Sequence, residues 1–280
     1  MLLDQETQHG ITDGYAARDD RAADAAPGLV PLGPAAGSIE LKCRHGWYPG
    51  LKAAVEITVA VALFVLTFPV VLAAVLIVKL TSRGPGFYSQ VRVGKDGRLF
   101  TIYKIRTMLD NCESATGPCW SAPGDPRVTR IGRFLRKSHL DELPQLINVI
   151  CGEMSLIGPR PERPEFLPLL EQAIPDYRQR LAVRPGVTGL AQVQLPADTD
   201  LDSVRQKLAY DIYYIRYMSP WLDMQILAAT ATYVGGLPFR ISQRVFCLPT
   251  RDAIARQVSD TLFSEPTSDP ELCLQPAVEQ

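Results

Sequence analysis

ITVAVALFVLTFPVVLAAVLIV, residues 57–78, decides the fold of this chain. It runs twenty-two residues without a charge. About 20 apolar residues match, as a helix, the ~30 Å hydrocarbon core of a bilayer. A helix that is apolar on every face has no side to offer water, so a core helix of a soluble domain is the weaker reading. Pro69 sits inside the run, where a proline removes one backbone hydrogen bond and bends a helix. Basic residues flank both ends: Lys42, Arg44 and Lys52 before, Lys79, Arg83 and Arg92 after. Basic flanks favour the cytoplasmic side of a membrane. Two basic ends leave the orientation of a straight span undecided, and they suit a bent helix whose ends both face the cytoplasm. The reading adopted is a Pro-bent re-entrant membrane helix within residues 46–82, with a straight span as the alternative.

Upstream, residues 1–45 are polar and then rich in Ala, Gly and Pro, without a sustained helical or strand period, and read as a disordered tail. No apolar stretch follows the start, so this is not a signal peptide. Downstream, no second membrane-length run occurs, and residues 83–249 read as one domain, mostly α with a small β-hairpin. Phe87–Val93 and Leu99–Ile105 alternate around Gly94-Lys95-Asp96-Gly97, a hairpin pattern. Residues 109–126 read as a loop. Ser138, three before Asp141, predicts a capped start for a helix through Leu143, Leu146, Ile147 and Ile150, with Gly152 to end it. Helical patterns recur over 165–181 and 201–217. In the second, Leu201, Val204, Leu208, Ile212 and Ile215 share a face. Tyr210, Tyr213, Tyr214, Tyr217 and Trp221 nearby suit core packing or an interfacial belt equally. Residues 250–280 turn acidic and Pro-containing and read as a second tail.

The 280 residues are 46% hydrophobic and 21% charged with a net charge of −1, so the overall balance names no partner. The local balance is more informative. From Arg83 to Lys137 there are eleven Lys or Arg against four Asp or Glu, a net of +7. A nucleic-acid module would explain this basic stretch but would leave the apolar segment without a purpose, so no nucleic-acid partner is expected. Six scattered cysteines form no CxxC, so neither a zinc site nor a disulfide framework is expected.

Asp141 and Glu142 are the candidate reactive pair. Adjacent helical residues point about 100° apart, so they cannot face each other across a substrate but can serve one small volume in different roles. One carboxylate could attack while the other holds a divalent cation. Mg²⁺ prefers one or two carboxylates plus phosphate oxygens. Acids at a helix start are commonly mere capping residues, and the dipeptide alone does not decide. The cations tip the balance: Lys104 and Arg106 leave the hairpin, and Arg127, Arg130, Arg133 and Arg136 come three apart. Arg160, Arg163 and Arg184 lie beside Pro or Gly. Arginine grips phosphate in a fork. His139 is close by, but a lone histidine is more often structural.

RGPGFYSQVRVGKDGRLFTIYKIRTM (83–108), GDPRVTRIGRFLRKSHLDELPQLINVICGEMSLIGPRPERPEF (124–166), RPGVTGLAQV (184–193) and KLAYDIYYIRYMSPWLDMQIL (207–227) together resemble the bacterial sugar transferase family of monotopic phosphoglycosyl transferases. With the membrane segment, the resemblance spans roughly residues 46–235. It implies a re-entrant helix packed on a cytoplasmic catalytic domain at the bacterial inner membrane. It implies Asp141 as covalent nucleophile, Glu142 as Mg²⁺ ligand, and phosphate, nucleotide or network roles for Lys104, Arg106, Arg136, Arg160 and Arg184. It implies a UDP-sugar donor, a polyprenyl (undecaprenyl) phosphate acceptor, and release of UMP in priming exopolysaccharide or a related glycan. The short region before residue 46 is expected to exclude the multi-helix module of larger members, which favours exopolysaccharide priming with a hexose-1-phosphate. Family members break the membrane helix at Ser-Pro, whereas here Phe68 precedes Pro69, so no hydroxyl at 68 can cap the freed backbone. The rival readings are a non-enzymatic membrane scaffold with a basic surface and a transferase in which Asp141 acts only as general base.

Overall fold

The computed structural model describes residues 46–112, 124–174, 176–196, 200–236 and 239–262. The expected tail at 1–45 and most of the expected loop at 109–126 lie outside them. The described chain is mostly helical, with one small antiparallel sheet and one short parallel pair.

The apolar run lies in α1, Tyr48–Thr81, thirty-four residues long. At 1.5 Å per residue such a helix extends roughly 50 Å. It continues without interruption through Pro69, whose missing N–H leaves the Val65 carbonyl without its helical donor. Among the described residues it is the one helix long and apolar enough to cross a membrane, and only 17% of its most apolar window is buried. A soluble core helix would be covered; here Val61, Val65, Leu66, Phe68 and Leu72 are all exposed.

One edge of α1 does pack on the rest of the protein. Toward its start Tyr48, Lys52, Glu56 and Ala60 are buried at four-residue spacing, and toward its end Val71, Ala74 and Val78 are buried. This spacing aligns side chains on one stripe of a helix. The later group forms a small core with Ile105 and Leu135. Tyr48 and Ala60 join the main core.

The hairpin has the boundaries the alternation predicts: β1, Phe87–Val93, pairs antiparallel with β2, Leu99–Ile105, placing Val93 opposite Leu99 and Phe87 opposite Ile105. Then follow α2 (Arg130–Lys137), a 3-10 helix (Leu140–Gln145), α3 (Leu146–Ile150) and β3 (Ser155–Ile157). The predicted capped start at Ser138 is not what forms. Ser138 closes α2, its hydroxyl donating back to the Phe134 carbonyl at 2.9 Å, and His139 turns the chain in the left-handed region at φ 55. The segment after it is a tight 3-10 turn containing Pro144, which has no N–H to donate.

Beyond it come α4 (Leu167–Ala173), β4 (Gly186–Thr188) and α5 (Leu190–Gln194). The pattern over 165–181 thus resolves into α4 and a 3-10 helix at Tyr177–Ala182. β3 and β4 pair in parallel, Ser155 with Gly186 and Ile157 with Thr188. Glycine is required where they meet: a Cβ on Gly186 would lie 2.1 Å from the Gly158 nitrogen, and one on Gly158 2.6 Å from the Arg184 carbonyl oxygen. Gly158-Pro159-Arg160 and Arg184-Pro185-Gly186 are therefore two halves of one backbone-to-backbone contact.

Helix α6 spans Leu201–Tyr217 as expected, opened by a capping box at Asp200, and buries Val204, Leu208, Ile212 and Ile215. Tyr210 and Tyr214 are buried, which favours core packing, whereas Trp221 is exposed. Helices α7 (Pro220–Val234), α8 (Phe239–Val245) and α9 (Arg251–Leu262) complete the described chain. The last corrects the expected tail at 250–280: its first twelve residues are largely helical, and Ile254 and Val258, four apart, are fully buried in the main core. Composition masked this, because two apolar residues on one stripe are enough to dock a short helix.

Candidate active site

The 3-10 turn places Asp141 and Glu142 beside the mouth of the hairpin. Lys104 reaches in from β2, Arg160 from the loop after β3, and Arg136 from the last turn of α2. Glu142 is clamped. Its Oε1 accepts from Lys104 Nζ at 2.8 Å and from Arg160 Nη2 at 2.6 Å. Its Oε2 has only a long 3.4 Å contact with Arg160 Nη1. Burial alone would raise this carboxyl, but Arg160 and then Lys104 outweigh it and hold it well below the ordinary carboxylate range. Burial lowers Lys104, and Glu142 opposes that shift.

Asp141 is the contrast. It is 7% exposed, and among the described residues no hydrogen bond or ion pair engages its carboxylate. Burial and then the negative charge of Glu142 raise it above the ordinary value, while Lys104, Arg136 and His139 pull it back. Two adjacent carboxyls thus have opposite environments, the pattern that separates roles in acid–base and nucleophilic sites. One is a fixed anion held by cations. The other is buried, uncommitted and destabilised as an anion.

The remaining sequence candidates divide. Arg136 donates from Nε to Thr107 Oγ1 at 2.9 Å, and its charge is among those that oppose the rise of the Asp141 carboxyl. Arg106 is nearly fully buried and points elsewhere: its terminal nitrogens donate to the Arg83 carbonyl at 2.6 Å, and to the Ser82 carbonyl at 3.0 Å and hydroxyl at 2.7 Å. It ties the end of α1 to the hairpin. Arg184 is exposed and lies beside the Gly158–Arg160 loop through the β3–β4 contact. Arg127 is paired with Asp125 at 2.6 Å. An open cavity at the end of α1, lined by Ser82, Arg83, Leu109, Asp110, Thr129 and Arg130, carries two exposed arginines.

Sequence reasoning missed the supports of Arg160. Arg180 Nη2 donates to the Arg160 carbonyl at 2.9 Å and pairs with Asp211 at 2.9 Å, and Arg180 also bonds the Tyr177 hydroxyl. Arg92 donates to the Pro161 carbonyl at 3.1 Å, and burial pushes its pKa down to about 10. Nothing local in the sequence marks partners some thirty residues apart.

Among the described residues no group of three or more His, Cys, Asp or Glu is arranged to hold a metal. Mg²⁺ does not need one, since it takes one or two carboxylates with phosphate oxygens and water completing its shell. The lightly engaged Oε2 of Glu142, beside Asp141, meets that requirement.

The site thus joins a clamped carboxylate, one with no hydrogen bond among the described residues, and cations from three elements. The chain belongs to the bacterial sugar transferase family, whose model matches residues 47–236. It is 45% identical over 183 residues to a UDP-N-acetylgalactosamine-undecaprenyl-phosphate N-acetylgalactosaminephosphotransferase of Aeromonas hydrophila, covering 65% of this chain and 43% of that protein. It is 43% identical over 182 residues to a UDP-glucose:undecaprenyl-phosphate glucose-1-phosphate transferase of Caulobacter vibrioides, covering 64% and 67%. It is 39% identical over 185 residues to the exopolysaccharide production protein PSS of Rhizobium leguminosarum bv. phaseoli, covering 64% and 92%.

Proposed function

We propose that this chain is a phosphoglycosyl transferase that moves a hexose-1-phosphate from a UDP-sugar to undecaprenyl phosphate through a phosphosugar–Asp141 intermediate, priming exopolysaccharide or a related glycan. The observation that supports the reading is the division of labour at 141–142: a buried carboxylate that accepts no hydrogen bond and makes no ion pair among the described residues, next to one fixed by Lys104 and Arg160. A capping acid has no need of this contrast. A nucleophile does, because desolvation and an absence of hydrogen bonds leave its electron pair available.

In the first half-reaction an Asp141 oxygen attacks the sugar-bearing phosphorus. The bond from that phosphorus to the bridging oxygen breaks, and UMP departs with that oxygen. In the second, an oxygen of undecaprenyl phosphate attacks the same phosphorus, and Asp141 leaves as a carboxylate. Arg136 and Arg160 offset charge on the phosphoryl oxygens, and Arg184, exposed beside the Gly158–Arg160 loop, is assigned to the nucleotide. Mg²⁺ at Glu142, when bound, supplies further charge neutralisation on the diphosphate.

Both ends of α1 are fastened to the same domain, the start through Lys52 and Glu56 and the end through Arg106. This supports a helix that enters the bilayer with both ends on one side, rather than a span separating them. The basic flanks then put the domain on the cytoplasmic face of the inner membrane. The test is UMP release with undecaprenyl phosphate, Mg²⁺ and a panel of UDP-sugars that includes glucose and N-acetylgalactosamine. Wild type releases UMP with at least one donor, and Asp141→Asn releases none. Turnover by Asp141→Asn would refute the reading.

A further inference from the structure

Helix α1 carries buried charges that the chemistry at Asp141 does not use. Lys52, Glu56 and, opposite them on α7, Asp223 are each less than a tenth exposed. Lys52 Nζ pairs with Asp223 Oδ2 at 2.8 Å and also with Glu56. Tyr48 donates to Asp223 Oδ2 at 2.6 Å and Tyr214 to Asp223 Oδ1 at 2.8 Å. An anchor that had only to sit in lipid would not need this cluster, since well-packed apolar side chains do the same at no desolvation cost.

Glu56 shows what the cluster reaches. Its Oε2 accepts from the Ser155 hydroxyl at 2.6 Å and its Oε1 from the Ile157 N–H at 3.2 Å. These are the first and last residues of β3. Three residues further on, Arg160 grips Glu142 at 2.6 Å. The backbone between is pinned: Gly158 N–H donates to the Thr188 carbonyl at 2.9 Å, Gly186 N–H to the Pro159 carbonyl at 2.8 Å, and Arg180 holds the Arg160 carbonyl at 2.9 Å. Ile157 and the Arg160 backbone therefore belong to one hydrogen-bonded frame, from which the Arg160 side chain extends to Glu142.

We infer that Glu56, on the membrane helix, is a positioning residue for the reactive pair: its carboxylate fixes β3, β3 fixes Arg160, and Arg160 fixes Glu142. Seating of the membrane helix and assembly of the site are then one structural state. The inference rests on the reading of Asp141 and Glu142 as the reacting groups.

The test is a cycle of variants of the full chain in nanodiscs, scored by kcat and KM for UMP release and normalised to folded, membrane-bound protein. Glu56→Ala lowers kcat on the order of tenfold, the usual scale for a group that orients another, with a smaller change in donor KM. Glu56→Gln, which keeps an acceptor for Ser155, recovers most of the loss. In an Arg160→Ala background Glu56→Ala costs little more, because the group it acts through is already gone. Ser155→Ala, which leaves the charges of α1 intact, serves as the second variant should Glu56→Ala fail to fold, and it shows the same dependence on Arg160. Wild-type kcat in both Glu56→Ala and Ser155→Ala, or losses that multiply undiminished with Arg160→Ala, would overturn the inference. The two readings separate cleanly. Turnover by Asp141→Asn removes the site itself, whereas a dead Asp141→Asn beside fully active Glu56→Ala and Ser155→Ala removes only the positioning role.

Discussion

Replacing Lys104 with methionine takes one of two cations from a carboxylate that has little water to turn to. Lys104 Nζ and Glu142 Oε1 are 2.8 Å apart, with side chains 16% and 14% exposed. At an effective dielectric near 20, unit charges at that separation attract by about 6 kcal/mol, and much of this is returned as desolvation. Removing one partner of a buried pair costs about 3–5 kcal/mol when the other is left alone. Glu142 is not left alone. It keeps Arg160 at 2.6 Å, though that side chain is 45% exposed and its attraction is partly screened. The expected loss is therefore about 1.5–3 kcal/mol, the worth of one hydrogen bond to a charged group. For a domain of this size that is a fall of roughly 3–12 °C in melting temperature. The assay is thermal unfolding of the purified full chain in detergent micelles. Lys104→Met with Glu142→Gln should recover most of the loss, since no charge is then left unpaired, while UMP release stays at background in both proteins. A single variant that melts with the wild type would refute the electrostatic account. So would a double variant that melts as low as the single, because lost packing of the lysine stem would then explain the fall.

Asp141→Asn should stabilise the fold while abolishing turnover. Burial and Glu142 raise the Asp141 carboxyl above 3.8, so ionising it opposes folding. Below pH 3.8 the group is protonated folded or unfolded and the two proteins melt alike. As pH rises through the raised value the folded state gives up its proton less readily than the unfolded, and the variant's advantage opens and then holds at neutral pH. Melting curves from acid to neutral pH check this, and an advantage greatest in acid would contradict it. Arg106→Met strips the Ser82 and Arg83 carbonyls of their donor and should cost about 1–3 kcal/mol, with faster proteolysis near the end of α1. Loss of donor binding at unchanged stability would instead assign Arg106 to phosphate.

Where pattern and structure agree, the information was local. The hairpin follows from period-two alternation around a loop carrying Asp96 and Gly97 at positive φ, and α6 from apolar residues three and four apart behind Asp200. The Asp141-Glu142 pair also stands out in the sequence, because a dense run of arginines precedes it. The turn that presents it was not. Ser138 has the composition of a helix start but ends α2 instead, since its hydroxyl can bond backward to Phe134 as readily as forward. Direction was the other blind spot. The sequence marks Arg106 and Arg160 alike as candidate cations, but only the fold turns Arg106 onto α1 and Arg160 onto Glu142. The β3–β4 pair, the Arg180–Asp211 support and the seat of Glu56 on Ser155 all join residues remote in sequence, so no window along the chain contains them.

The proposed mechanism turns on a covalent bond between a phosphosugar and the side chain at position 141. Wild-type protein in nanodiscs, incubated with Mg²⁺ and its preferred UDP-sugar but no lipid acceptor, then quenched and digested, should yield the peptide containing Asp141 heavier by one phosphosugar, with UMP released in equal amount. Adding undecaprenyl phosphate before the quench should discharge it. UMP formed only when the lipid acceptor is present, with the peptide mass unchanged throughout, would contradict the account.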